Sequence, residues 1–582
     1  CELRLVGCMS ATHINGNICC ACGGTPRVSK DGRSIIPLKR CSRCQQVWYH
    51  DIDCQKRHYT THKKDCRRWA QNRATSITST REPDETSPDA RTLKVRVEPR
   101  SGRGNCLVAS QQVLKGERIT PGWDNVDYWD PLVLPVLLEH QRRIRCTLCF
   151  GALDPSIEPY CYEPSGTPAC QAYPLFFCSS RCRELGRNHG LEKEQATVRR
   201  LFQRRGHVKI FPTAVLLFRL LRSSMLESVA TGVVEQFSGL QSTIPETFKA
   251  DLDDASYHHS RAVIVTVLEL LELSGYLSKF QGQISAMEDM VNRIKINGFS
   301  VADGENVAMG IGIFLTPSFI NHSCRPNTIQ TFLYGQNNRP PRLILTSHEN
   351  ISADQEVLIS YIDNSCPRHL RHYNLERGYF FSCDCNACVD PSLDTEIIGL
   401  RCLHCSNSEQ AVQVVGSFDL RCRTCQATDF ESQVKILRSL EKADEKADVH
   451  TLEKSFQNVQ QLCRPGSWYL EESGDRLVHA LLDELGQATT IVEQERLAIQ
   501  ALTVLQVLDP NAGTTTLWTS SGQEFRRSIR LFQAAKLRLF LEPNPFRAIE
   551  LLEKAYSFLS LYYPADHELL KDMSKSMREA KS

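Results

Sequence analysis

"INHSCRPN", Ile320 to Asn327, follows the apolar run "GIGIFLTPSF" and packs two Asn, a His, a Ser and a Cys into one short segment. Three chemistries fit it: a buried polar network, a nucleophilic Cys or Ser, or a metal ligand awaiting partners. The nucleophile fits worst. His322 and Cys324 stand too close along the chain for an obvious nucleophile–base pair, which sets a hydrolase aside. The choice between the other two rests on the cysteines elsewhere.

The chain has 26 Cys, many in CxxC or CxCxxC groups. That spacing lets neighbouring thiolates chelate one tetrahedral ion from a tight turn, and in a reducing compartment it reads as zinc rather than disulfides. The first cluster comprises Cys19, Cys22, Cys41, Cys44, His50, Cys54, His62 and Cys66, enough ligands for two closed sites. The second is Cys146, Cys149, Cys178 and Cys182, one complete site, with Cys161, Cys170 and His189 nearby and unassigned. The third, "CDCNAC", supplies only Cys383, Cys385 and Cys388, and Cys324 of the opening stretch is a candidate fourth ligand. The last, Cys402, Cys405, Cys422 and Cys425, has zinc-ribbon spacing and reads as a structural staple. These clusters use 18 Cys and call for five zinc ions; Cys1, Cys8, Cys20, Cys106, Cys161, Cys170, Cys366 and Cys463 are left as ordinary thiols.

At 582 residues, 41% hydrophobic and 23% charged, the chain is expected to form two to four domains. A net charge of +2 gives no global reason to expect nucleic-acid binding, and the basic runs "KRHYTTHKKDCRR" and "RRLFQRRGHVK" read as solvated helix faces. The most apolar stretch, "AVIVTVLELLELSGYL", carries Glu269 and Glu272 and is too short to span a bilayer, so it reads as a core helix. No secretory or lipidation signal is visible. The chain opens on Cys1, so the true N-terminus is expected to lie upstream. A cytoplasmic or nuclear location is the expectation.

The first cluster resembles a MYND zinc finger, with His50 where that family more often has Cys. The resemblance implies interleaved pairing: Cys19, Cys22, His50 and Cys54 on one zinc, and Cys41, Cys44, His62 and Cys66 on the other. It also implies binding of short proline-containing peptides of partner proteins. Three further blocks, "RSGRGNCLVA", "GIGIFLTPSFINHSCRPN" and "EVLISYID" with "GYFFSCDCNAC" behind it, look like a SET domain of the SET-and-MYND (SMYD) family of lysine methyltransferases. That resemblance implies an S-adenosylmethionine-dependent transfer to a lysine of a histone or other protein. Arg103, Asn105, Asn321, His322, Tyr361 and Phe381 would bind the cofactor. Tyr361 would stand at the transfer site, and Phe299 and Tyr379 would line the lysine channel. Cys324 would join Cys383, Cys385 and Cys388 on zinc.

These assignments make chemical sense on their own terms. Methyl transfer from a sulfonium to an amine is an in-line displacement, catalysed by positioning and charge management. The amine must be neutral, yet a lysine pKa of about 10.4 leaves on the order of one molecule in a thousand neutral near pH 7.4. An aromatic channel disfavours the ammonium by desolvation.

One departure stands out. Aligning "RGNCL" with the family's first block puts Cys106 where a glycine is usual, and a side chain there could crowd the cofactor. Another register takes Gly102-Arg103-Gly104 as the motif. Cys106 therefore motivates an alternative, a SET/MYND adaptor or corepressor without catalysis. A zinc-finger nucleic-acid binder is disfavoured, because the cross-brace spacing is not that of a groove-reading finger.

The expected organisation is an α+β multidomain chain. It has a MYND finger over 1–70, a Ser/Thr/Pro-rich linker over 71–92, and the first SET segment over 93–145. A zinc module follows over 146–190, a helical insert over 191–296, the SET core over 297–382 and the post-SET cysteines over 383–390. A zinc ribbon over 400–426 and tetratricopeptide-like helices over 427–582 complete it, the last expected to narrow the substrate cleft by family analogy.

Overall fold

The computed structural model describes residues 94–119, 129–162, 171–206, 208–223, 237–249, 254–280, 286–405, 412–415, 419–441, 447–509 and 521–581. Before these it describes 27–28, 35–36, 39–40, 48–49, 51–56, 59 and 63. The chain divides into two compact units, Cys1–Arg91 and Thr92–Ser582.

In the first unit, Arg27–Val28 pairs antiparallel with Ile35–Ile36, and Lys39–Arg40 with Trp48–Tyr49. Cys54 is buried, and its backbone N–H donates to Asp51 Oδ1 at 2.8 Å. The other expected MYND ligands, Cys19, Cys22, Cys41, Cys44, His50, His62 and Cys66, lie outside the described residues, as does the linker over 71–92.

The second unit opens on a hairpin of β1 (Val95–Arg100) and β2 (Gly104–Ala109), paired from Val95↔Ala109 to Arg100↔Gly104. Gly102 and Gly104 both have left-handed backbones, φ +73° and +69°, which only glycine adopts without steric cost. The glycines that the turn requires are thus those of Gly102-Arg103-Gly104. Cys106 lies in extended strand opposite Glu98.

Short strands β3 (Arg118–Ile119) and β4 (Val136–Leu137) follow. The helices begin with α1 (Ser180–Asn188), α2 (Leu191–Arg205), α3 (Pro212–Ser223), α4 (Asp254–Leu273) and α5 (Met287–Asn297). β5 (Gly298–Ala302) and β6 (Ala308–Ile313) return to the SET region, where β6 lies between β4 and β5. At Gly310 a Cβ would lie 2.5 Å from Val136 O and 2.6 Å from the Phe150 ring, so only glycine lets the strands pass this closely. β7 (Asn321–His322) pairs parallel with β10 (Leu358–Ile359). Between them β8 (Thr328–Leu333) and β9 (Arg342–Ser347) form an antiparallel pair, with β3 on the far side of β9. Every residue of β9, "RLILTS", is buried, as expected of a strand covered on both faces.

A buried ion pair locks the helical insert to the strands. Arg219 of α3 donates through Nε and NH2 to Glu194 of α2 at 2.8 and 2.7 Å, and through NH1 to the carbonyls of Leu134 and Pro135. Both side chains are almost wholly out of solvent.

α6 (Arg368–Tyr379) leads to the post-SET cysteines. From Glu431 onward the chain is helical among the described residues. The helices are α7 (Glu431–Glu441), α8 (Val449–Leu462), α9 (Trp468–Gln487), α10 (Ile491–Leu508), α11 (Ser521–Leu541), α12 (Phe546–Tyr562) and α13 (Glu568–Lys581). Sequence neighbours from α7 to α13 pack on one another. Thr490 caps α10 by accepting from Glu493 N, a Thr-x-x-Glu start of the capping-box kind. The helices dock on the SET strands at their C-terminal end. Thr331 Oγ1 donates to Tyr562 O at 3.0 Å, and Tyr562 Oη lies 2.7 Å from His348 Nδ1. His567 is buried with its ring 4.2 Å from Tyr563 and 5.2 Å from Tyr334.

Two stability predictions follow from these anchors. Glu194→Ala strands a buried guanidinium and should cost about 3–5 kcal/mol in denaturant unfolding. Burial pushes His567 down to about 4, so the unfolded chain takes up this proton first as pH falls. Its contribution is therefore intact above pH ~6.5 and fades toward pH ~4, by about 3 kcal/mol. His567→Phe should flatten that part of the stability–pH curve.

Candidate functional site

The three sequence blocks meet at one place. Asn327, 5% exposed, donates from Nδ2 to Glu356 O and accepts at Oδ1 from Leu358 N, both at 2.8 Å. The first block joins the same crossing: Ala109 N donates to Gln355 O and Val357 N to Leu107 O. The opening stretch is thus a buried polar network, and it is also a metal ligand.

Cys324, Cys383, Cys385 and Cys388 bring their Sγ atoms within 4.8 Å of one another, as do Cys146, Cys149, Cys178 and Cys182, and Cys402, Cys405, Cys422 and Cys425. Individual separations are 3.5 Å for Cys324–Cys388, 3.6 Å for Cys178–Cys182 and 3.7 Å for Cys405–Cys422. Tetrahedral zinc with Zn–S of about 2.3 Å sets such edges near ~3.8 Å. A disulfide needs about 2.05 Å, so these are zinc-binding sites. Cys161 and His189 stand apart from the second cluster, and Cys170 lies outside the described residues. Arg371, fully buried, reaches Cys388 Sγ at 4.0 Å and the carbonyls of Cys366 and Ala387. Cation and N–H donors around thiolates are the usual support of such a site.

His322 ties this cluster to Tyr361. Its Nδ1 accepts from Tyr361 N at 3.0 Å, which leaves the proton on Nε2, 3.3 Å from Cys324 Sγ. Both ring nitrogens are thereby used within the protein. The ring stays close to Tyr361 and Phe381, with centroids 5.3 and 5.9 Å away.

Tyr361 donates its hydroxyl to Ile320 O at 2.5 Å and lies 4.7 Å, ring to ring, from Tyr379. Tyr379 Oη in turn donates to Tyr361 O at 3.2 Å. Burial pushes both phenols above their usual range, so each acts as a hydroxyl donor and not as a base. Phe380 caps α6 in a left-handed backbone, φ +61°, which turns the chain so that Phe381 faces back toward His322. A left-handed aromatic is uncommon and costs about 1–2 kcal/mol.

Phe299, Tyr361 and Tyr379 line a cavity of about 80 Å³. It shares Ser300, Gln330, Ile359 and Tyr361 with a wider cleft of about 690 Å³, walled by SET strands on one side and by α9 and α11 on the other. Sequence reasoning missed Gln330 at this neck, whose buried Oε1 has no hydrogen-bond partner among the described residues. It also missed Asp363, which accepts from Arg526 NH2 at 2.7 Å and Trp468 Nε1 at 3.3 Å. That half-buried carboxyl is held below its usual range by Arg526, against the opposing effect of desolvation. Neither residue is distinguishable in sequence, because each depends on what packs opposite.

Arg103, Asn321 and Cys106 gather around Glu356. Arg103 NH1 reaches Glu356 Oε2 at 2.7 Å, and Asn321 Nδ2 reaches Glu356 Oε1 at 2.8 Å and Cys106 Sγ at 3.1 Å. Cys106 is fully buried, and burial pushes its thiol up to about 11. Asn105 is exposed in β2.

A SET domain model matches residues 104–362, and a MYND finger model matches 19–66. This is therefore a SET-domain protein carrying a MYND finger. The N-lysine methyltransferase SMYD2-B of Xenopus laevis is 34% identical over 129 residues, 22% of this chain and 29% of that protein. The histone-lysine N-methyltransferase ASHR1 of Arabidopsis thaliana is 23% identical over 238 residues, 39% of this chain and 45% of that protein. SET domain-containing protein 14 of Caenorhabditis elegans is 28% identical over 151 residues, 26% of this chain and 33% of that protein. Each alignment spans less than half of the relative. Over the matched segments the chain is similar to SET-and-MYND proteins.

Zinc occupancy gives a direct check on the clusters. Cys324→Ser should lower the zinc content by one ion per chain in elemental analysis and lower the unfolding temperature. Cys463→Ser, a buried thiol outside every described cluster, should leave the zinc content unchanged.

Proposed function

We propose that this chain is an S-adenosylmethionine-dependent protein-lysine N-methyltransferase. The observation that carries the reading is the aromatic channel of about 80 Å³, which leads from a broad cleft to Tyr361 beside the residues assigned to the cofactor. S-adenosylmethionine, when bound, supplies a methyl group on a sulfonium. Arg103, Asn105, Asn321, His322, Tyr361 and Phe381 would hold it: polar side chains at the first hairpin, and Phe381 with the ring of His322 for the flat adenine. The donor set fits a polar nucleoside with an amino-acid tail.

The chain's own groups then manage the lysine. Phe299, Tyr361 and Tyr379 surround its side chain with rings and disfavour the ammonium, so the proton leaves to water before transfer. Tyr361, fixed through its backbone by His322 and through its hydroxyl by Ile320 O, sets the direction in which the amine points. The wide cleft admits a protein segment, which suits a lysine of a histone or another protein. Further proposals are partner binding by the MYND finger through proline-containing peptides, and a cytoplasmic or nuclear place of action. No helix among the described residues is long and apolar enough to cross a membrane.

The adaptor reading drew on Cys106 crowding the cofactor. The thiol has no exposed surface and lies against Asn321, so it does not project into open space.

Zinc-replete protein incubated with methyl-labelled cofactor and a protein lysate should label lysines. Tyr361→Phe should slow transfer by about 10–100-fold and change S-adenosylhomocysteine affinity by less than about threefold. Folded protein that binds cofactor and labels no substrate, purified histones included, would sink the proposal.

A further inference from the structure

Glu356 is the one buried carboxylate on which the first two sequence blocks converge, and nothing assigned so far uses its side chain. It is 7% exposed and sits two residues before Leu358, where the short strand that leads to Tyr361 begins its pairing. Its two oxygens are spent on different neighbours: Oε2 on Arg103 NH1 at 2.7 Å, Oε1 on Asn321 Nδ2 at 2.8 Å.

The consequence for Asn321 is a fixed amide. Its Nδ2 faces three acceptors, Glu356 Oε1, Cys106 Sγ at 3.1 Å and Arg103 O at 3.3 Å. An amide oxygen in that position would meet a carboxylate and a carbonyl, neither of which donates, so the orientation with Nδ2 inward is the only satisfied one. Oδ1 is thereby turned away from Glu356, and no described residue donates to it. Arg103 is held by the same carboxylate. NH1 is engaged, the side chain remains 42% exposed, and among the described residues NH2 has only the exposed Asp384 at 4.0 Å. An open acceptor and an open guanidinium edge are therefore pinned beside each other by one buried acid. That pair complements a group carrying an ammonium and a carboxylate together, the α-amino-acid end of a molecule.

We infer that Glu356 is a positioning residue that orients Asn321 and Arg103 into a clamp for the zwitterionic amino-acid end of the cofactor. The inference rests on the methyltransferase reading of the same site. It predicts that Glu356 matters for ligands with that end and is nearly silent for ligands without it.

The test is calorimetric titration with two nucleosides, S-adenosylhomocysteine, which has the amino-acid end, and 5′-methylthioadenosine, which lacks it. The wild type should bind the first more tightly. Glu356→Gln keeps the side chain's size and should weaken S-adenosylhomocysteine by about 10-fold, while 5′-methylthioadenosine shifts by less than about twofold. A loss of packing alone would weaken both alike. Equal losses for the two ligands, or no loss for either, overturn the clamp. Should Glu356→Gln fail to fold, the exposed Arg103→Gln decides: selective loss of S-adenosylhomocysteine supports the clamp, and parallel loss overturns it. A wild type that binds neither nucleoside removes the methyltransferase reading and the clamp with it. A wild type that binds both equally removes the clamp alone.

Discussion

Asn327 has a buried side-chain amide, whose donor and acceptor are costly to leave unpaired. Both find backbone partners on one short segment, accepting from Leu358 N and donating to Glu356 O. An amide left unpaired there would cost about 1–3 kcal/mol, so the crossing of residues 320–327 with 356–361 is strongly specified. Everything in the site hangs from that crossing. The parallel pairing of Asn321–His322 with Leu358–Ile359 sets the register, and the register puts His322 against the backbone of Tyr361.

From there the arrangement is a chain of fixed directions. The His322 ring stands between a zinc-site thiolate and the Tyr361 N–H, and each neighbour dictates the placement of its proton. The cysteine cluster thus fixes the post-SET segment and also, through one ring, the backbone at Tyr361. Phe380 accepts a strained backbone at the same spot, and strain of this kind persists only where surrounding contacts over-determine it. The four-cysteine cluster beside it is such a constraint.

The second constraint comes from the far end of the chain. Asp363 lies two residues beyond Tyr361 and is held by Arg526 and Trp468, which belong to the C-terminal helices. Arg526 is shared with Glu472, so the cleft wall is cross-linked by a charge network and not by a lone surface pair. Tyr562 and His567 anchor the same helices to the SET strands. The helical array therefore forms one wall of the wider cleft.

Much of this was legible in the residues themselves. Cysteine spacing identifies ligands because chelation from one turn imposes short, fixed intervals, and all three clusters in the second unit close as their spacing implied, Cys324 completing "CDCNAC" included. The apolar periodicity after residue 430 foretold helices for the same local reason. The register of the first block was not legible: "GRG" and "GNC" differ only in which residues take left-handed backbones, and the hairpin pairing chose Gly102 and Gly104. Nor were Glu356, Gln330 and Asp363 marked in any way, since a carboxylate or an amide acquires its role from groups some 30 to 250 residues distant. Sequence determined which ligands, rings and helices this protein has, because those follow from local spacing. Tertiary structure alone decided which polar groups face one another, because hydrogen-bond partners in a buried site are set by how distant strands cross.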